Sequence, residues 1–153
     1  MTLSHSDTIS ILLAEDDDDQ FFIIKTVFEK LLLVNELHRV NDGEELMDYL
    51  LRRGEYALPN KAPRPELILL DLNMPKKNGL EALKEIRNHP DLCHTPVVVL
   101  TALTDQDTIR MCYAAGANSY IAKPVGPEGL VRALKDLRTY WFQLVKLPPG
   151  NKE

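Results

Sequence analysis

The sequence predicts an α/β fold, a parallel sheet of five strands with five helices packed on its two faces. Three observations carry this. Short apolar runs of strand length recur at Ile9 to Ala14, Leu37 to Val40, Leu67 to Leu70, Val97 to Leu100 and Ser119 to Ala122. Segments with helical spacing lie between these runs and after the last. Two of the runs, at 67–70 and 97–100, are apolar at every position, the pattern of central strands covered on both sides. A connection long enough to return the chain parallel to itself is most easily a helix, so the alternation selects the parallel arrangement.

Each helix shows an apolar face. The first carries Phe21, Ile24, Phe28 and Leu31; the second Leu46, Tyr49 and Leu50; the third Leu80, Leu83 and Ile86; the fourth Ile109, Cys112 and Tyr113; the fifth Leu130, Leu134 and Leu137, with Trp141 one turn on. Punctuation agrees with this segmentation. Asn41-Asp42-Gly43 opens the second helix, Asn78-Gly79 opens the third, and Ala115-Gly116-Ala117-Asn118 closes the fourth. Two segments fall outside the alternation. Residues 53–66 contain Pro59, Pro63 and Pro65, which cannot continue a helix and bias their neighbours toward extended backbone, so an enlarged surface loop is expected there. Residues 139–153 prolong an apolar stripe past the last helix through Tyr140, Trp141, Phe142, Leu144, Val145 and Leu147.

Composition narrows the function classes. At 153 residues the chain is expected to form one domain. A domain of this size buries roughly 68–70% of its extended surface, enough for a core without disulfides. The 18 Lys and Arg against 23 Asp and Glu leave a formal charge of −5, which repels a phosphate backbone, so direct nucleic-acid binding is not expected. Cys93 and Cys112 fit no metal spacing and are expected to be free thiols in a reducing compartment. The opening MTLSHSDTIS has no basic region followed by an apolar stretch, and no apolar run approaches the roughly 18 residues of a membrane span, so a cytoplasmic protein without membrane contact is expected. The four histidines, His5, His38, His89 and His94, have no ligand spacing and are given no chemistry.

In an open parallel sheet, ligands sit beyond the carboxyl ends of the strands. The residues found there form a coherent set: Glu15 and Asp16 after the first strand, Asp71 after the third, Thr101 after the fourth and Lys123 at the end of the fifth. Three acids gathered at one edge are costly unless a cation occupies their midst, because like charges at close range oppose mutual ionisation. A hard divalent cation is implied. Mg²⁺ suits a site of few carboxylates completed by water and phosphate oxygens. Thr101 and Lys123 then suit a phosphoryl group, one as hydroxyl donor and one as point charge. Asp18 and Asp19, continuing the acidic run, are read instead as a solvated helix start.

These pieces are recognisable together. Leu12-Leu13-Ala14-Glu15-Asp16-Asp17, Leu69-Leu70-Asp71-Leu72-Asn73-Met74-Pro75 with Asn78-Gly79, Val99-Leu100-Thr101-Ala102, and Gly116 through Pro124 stand in order at the ends of four strands. In this the chain resembles the receiver domain of two-component response regulators, over Ile9 to Leu137. The resemblance implies the flavodoxin-like strand order 2-1-3-4-5. It implies a receiver domain at 9–138, preceded by an extension at 1–8 and followed by one at 139–153. It further implies that Asp71 takes a phosphoryl group from a sensor histidine kinase. Mg²⁺ would be held by Asp16, Asp71 and the backbone carbonyl of Asn73, with Glu15 acting through a bound water. Lys123 would pair with the phosphoryl oxygens, and the Lys123-Pro124 bond would be cis. Thr101 would close on the phosphate while Tyr120 turns inward, changing the surface of the fourth helix, fifth strand and fifth helix. The chain departs from the family pattern at Leu103. That position usually helps a water attack the acyl phosphate, and leucine cannot, so slow self-dephosphorylation is expected.

The proline-containing loop and the closing Tyr140-Trp141-Phe142-Gln143-Leu144-Val145-Lys146-Leu147-Pro148 resemble a narrower group, the small receivers that partner bacterial phytochrome kinases, notably in cyanobacteria. Tyr140, Trp141, Phe142, Leu144 and Val145 are expected to form a homodimer contact, with an extra helix turn packed on the chain's own core as the alternative. Only 16 residues follow Leu137, so a stand-alone receiver is expected. Two other functions compete. A phosphohydrolase of the haloacid dehalogenase type wants an acid two places after its nucleophile, where this chain has Asn73. A receiver that binds partners without phosphorylation would be signalled by loss of Asp16, Asp71, Thr101 or Lys123, and all four are present.

Overall fold

Residues 67–70 and 97–101 are buried at every position, and alternate side chains of these strands feed two separate cores. The computed structural model describes residues 9–31, 34–123 and 127–137. Strands β1 (Ile9–Ala14), β2 (Val34–Val40), β3 (Leu67–Leu70), β4 (Val97–Thr101) and β5 (Ser119–Ala122) alternate with helices α1 (Asp18–Leu31), α2 (Gly43–Leu51), α3 (Gly79–Asn88), α4 (Gln106–Ala114) and α5 (Pro127–Leu137). All neighbouring strands pair in parallel, in the order β2-β1-β3-β4-β5. This is the expected order.

Strand periodicity of two sends Leu12, Ile68, Leu70, Val97 and Val99 to one face, where they meet Leu46, Met47 and Leu50 of α2, Leu83 and Ile86 of α3, and Cys112 of α4. The other face takes Ile11, Leu13, Leu67, Leu69, Val98 and Leu100 against Ile24, Val27 and Phe28 of α1 and Leu130 and Leu134 of α5. Each such fully buried Leu or Ile contributes roughly 1.5–3 kcal/mol relative to exposure.

Local chemistry sets the helix ends. Asp42 caps α2 by accepting from the Glu45 amide at 2.8 Å, and Asn78 and Glu81 form a reciprocal capping box at α3. Gly116, at φ 107°, takes the left-handed turn that ends α4 while the Ala117 amide reaches back to the Cys112 carbonyl at 3.0 Å.

Two strand boundaries differ from the sequence reading. β2 begins at Val34, three residues before the apolar run, because an edge strand interleaves polar residues such as Asn35 and Glu36 without cost. β4 includes Thr101. The 53–66 connection lies at the surface but is tied down. It contains a 3-10 turn at Gly54–Ala57. Its Pro63 carbonyl accepts from the Tyr49 hydroxyl at 2.8 Å, its Ala62 carbonyl from Arg52 at 3.3 Å, and Ala62 itself is buried in the core. The extensions at 1–8 and 139–153, Pro124 with its expected cis bond, and the tail residues from Tyr140 to Val145 lie outside the described residues.

Candidate functional site at the carboxyl edge of the sheet

The sheet's own hydrogen bonding places the site. The Glu15 amide donates to the Val40 carbonyl, the Asp71 amide to the Ala14 carbonyl, both at 3.0 Å, and the Lys123 amide to the Thr101 carbonyl at 2.7 Å. Each residue is thus the first position past a strand, held by one more rung of the parallel ladder. The chain reverses there, and the side chains converge.

Glu15, Asp16 and Asp71 each bring a carboxylate oxygen within 4.8 Å of the others. Glu15 and Asp71 are buried, whereas Asp16 is exposed and leaves the cluster open on one side. The Lys123 ammonium lies 2.5 Å from Glu15 Oε1 and 3.5 Å from Asp71 Oδ2. Asp71 Oδ1 also accepts from the Asn73 amide at 3.2 Å. Burial pushes the Glu15 carboxyl up to about 7; the Lys123 bond and charge oppose that rise, and the Asp71 charge adds to it. This donor set, hard carboxylate oxygens facing one opening, fits a divalent cation.

Thr101 is buried at the end of β4, its Oγ1 accepting from the Leu103 amide at 3.4 Å. Tyr120, on β5, is partly buried against the larger core, and its hydroxyl donates to the Leu103 carbonyl at 2.6 Å. Burial holds this phenol above its ordinary pKa, so it remains a donor. On the outer edge of β5 the Tyr120 amide donates to the Tyr113 hydroxyl at 3.1 Å. Leu103 is therefore tied to both Thr101 and Tyr120 through its backbone, while its side chain stands exposed.

Of the predicted residues, Glu15, Asp16, Asp71 and Lys123 meet directly, and Thr101 and Tyr120 are linked through Leu103. Asn73 is exposed beside Asp71. Asp17 caps α1, accepting from the Gln20 amide at 2.9 Å, and Asp18 and Asp19 occupy its first turn, as read from the sequence. Sequence reasoning missed Arg39, whose Nε donates to the Glu15 carbonyl at 2.9 Å. The available signal was an arginine one residue before the end of an edge strand, too common a placement to single out.

Comparison with known proteins matches this geometry. Residues 11–135 match the family described as the response regulator receiver domain. The response regulator Rcp1 of Synechocystis is 38% identical over 138 residues, covering 90% of this chain and 92% of Rcp1. The crystal structure of the phosphorylated cyanobacterial phytochrome response regulator RcpA superposes with a TM-score of 0.86 at 38% identity, over 93% of this chain and 99% of that one. The Mn²⁺-bound form of Rcp1 gives a TM-score of 0.86 at 37% identity, over 92% and 99% of the two chains.

Proposed function

The chain belongs to the response regulator receiver domain family, and from that premise we propose that Asp71 accepts a phosphoryl group from the phosphohistidine of a phytochrome-type sensor kinase. The observation that carries this is the convergence of the Glu15, Asp16 and Asp71 oxygens within 4.8 Å beside the Lys123 ammonium. An Asp71 oxygen attacks phosphorus, the P–N bond breaks, the imidazole leaves with the bonding pair, and an acyl phosphate remains. The phosphoryl group itself carries about −1.5 to −2 of charge, in place of the single charge of the carboxylate, and brings three acceptor oxygens. Lys123 receives one of these as a charge-assisted bond, and Thr101 turns its hydroxyl to another. Tyr120, bonded to the same Leu103 backbone as Thr101, follows, and α4, β5 and α5 carry the change.

Mg²⁺ is the cation we assign to the acidic cluster: Asp16, Asp71 and the Asn73 carbonyl would hold it, with Glu15 acting through water, and it would neutralise the charge gathered there. The protein is a signalling domain, and self-phosphorylation from small phosphodonors with slow self-dephosphorylation is the only chemistry we assign it. Residues 9–138 form the receiver. The extension at 139–153 provides a homodimer contact through Tyr140, Trp141, Phe142, Leu144 and Val145, supported by the concentration of apolar residues in this stretch of sequence. Among the described residues no helix is long and apolar enough to cross a membrane. The free thiols of Cys93 and Cys112 support work in a reducing cytoplasm, and the net charge of −5 speaks against nucleic acid.

Intact-mass spectrometry after incubation with Mg²⁺ and acetyl phosphate tests the acceptor, with sedimentation velocity on the same samples. One phosphate is expected on the wild type and none on Asp71→Asn. No adduct on folded wild-type protein, either from acetyl phosphate or from a phosphorylated phytochrome kinase, would favour a phosphorylation-independent interaction module. Truncation before Tyr140 is expected to yield monomer; an unchanged dimer would remove the tail assignment.

A further inference from the structure

Arg39 grips the acidic loop from outside the site. Its Nε donates to the Glu15 carbonyl at 2.9 Å, its Nη2 lies 2.8 Å from Asp18 Oδ1, and its guanidinium carbon stands 4.6 Å above the centre of the Phe21 ring. The arginine side chain is only 17% exposed, in contact with the Glu15 carbonyl and the Phe21 ring, whereas Asp18, 89% exposed, stands at the solvent side. We propose that Arg39 is a positioning residue for the divalent-cation site, setting the affinity of that site without touching the ion. The proposal rests on the reading of Glu15, Asp16 and Asp71 as the acidic cluster that holds the cation.

The physical reason lies in one peptide plane. The carbonyl of Glu15 belongs to the plane that joins Glu15 to Asp16, and rotating that plane swings the two carboxylates relative to each other. The Glu15 amide, bonded to Val40, belongs to the preceding plane and does not restrain this one. Arg39 does. It also sets the same plane against the Phe21 ring and the Asp18 charge on α1. A planar fork that bonds on one edge and stacks on its face can do this; an ammonium on a flexible stem cannot.

Charge alone predicts the opposite result, which makes the proposal testable. Removing a cation near the cluster strengthens metal binding if only Coulomb attraction matters. Losing a partner that orients ligands weakens it by about 10-fold or more. The test is isothermal titration of the full chain with Mg²⁺ and Mn²⁺, alongside thermal unfolding in EDTA to verify that each variant is folded. Arg39→Met is expected to weaken binding about 10-fold. The double variant Arg39→Met/Asp18→Asn, which restores the wild-type net charge, is expected to stay weak, and Arg39→Lys to fall between. Wild-type or tighter affinity in folded Arg39→Met, or full recovery in the double variant, overturns the proposal. Should Arg39→Met fail to fold, Arg39→Lys carries the same test, and wild-type affinity there overturns it. Glu15→Gln and Asp16→Asn separate the two levels: if they leave affinity unchanged, or the wild type binds no metal, the cluster reading fails and takes the positioning role with it.

Discussion

Lys123 sits closer to Glu15 than to Asp71, its ammonium 2.5 Å from one carboxylate and 3.5 Å from the other. The lysine is therefore first the counter-ion of Glu15, the more buried of the two acids. Removing one partner of such a pair strands the other charge, at a cost of about 3–5 kcal/mol. Lys123→Met is expected to lose stability of this order at pH 8 in EDTA, measured by urea unfolding. The loss should shrink below pH 6, where Glu15 takes up a proton. An equal loss at both pH values would contradict the pairing.

Glu15 also gives the metal-free protein a pH dependence of predictable sign. Its folded pKa of about 7 exceeds the ordinary 4.5, so between these values the folded chain holds more protons than the unfolded chain. Stability from this group is therefore fully present below about 4.5, falls as pH rises, and levels off above about 7. The span is on the order of 3 kcal/mol. Glu15→Gln should flatten the profile between pH 5 and 8 in EDTA. Saturating Mg²⁺, which favours the ionised carboxylate, should flatten it in the wild type.

On the proposed reading of the site, Leu103 takes the position from which a polar side chain would steer water onto the acyl phosphate, and leucine has no atom with which to do so. The phosphorylated wild type should persist for minutes or longer in Mg²⁺. Leu103→Gln should shorten that lifetime roughly tenfold, the kinetic equivalent of about one hydrogen bond. A wild-type half-life of seconds would sink this expectation.

Gly79 begins α3 directly against the backbone of Asp71 and Leu72. A Cβ placed there would stand 2.5 Å from the Asp71 carbonyl oxygen and 2.8 Å from the Leu72 Cα, both backbone atoms that cannot swing aside. Gly79→Ala should cost about 1–3 kcal/mol. It should also slow phosphorylation by acetyl phosphate, because relief of the clash displaces the Asp71 backbone. Wild-type rates in a destabilised but folded variant would separate the two effects and refute the second.

The apolar runs at 67–70 and 97–100 were legible as central strands because burial on both faces leaves only one kind of residue admissible. The edge strand β2 was legible only in its second half, since Asn35 and Glu36 obey no such constraint. The acidic edge could be read in advance because in a parallel sheet each strand delivers its next residue to the same side, whatever the loops do. Of the 53–66 connection only its looped character was legible: prolines announce an absence of α-helix but not the anchoring of Pro63 by Tyr49 or the burial of Ala62.

By itself, then, the sequence determined which elements form and which side chains reach the carboxyl edge, because periodicity and strand polarity are local properties of the chain. Tertiary structure alone decided who pairs with whom there. The partition of Lys123 between Glu15 and Asp71 and the grip of Arg39 on the Glu15 carbonyl depend on residues 108 and 24 positions apart, respectively. Such distances and angles arise only when separate strands are laid side by side, and no local pattern encodes them.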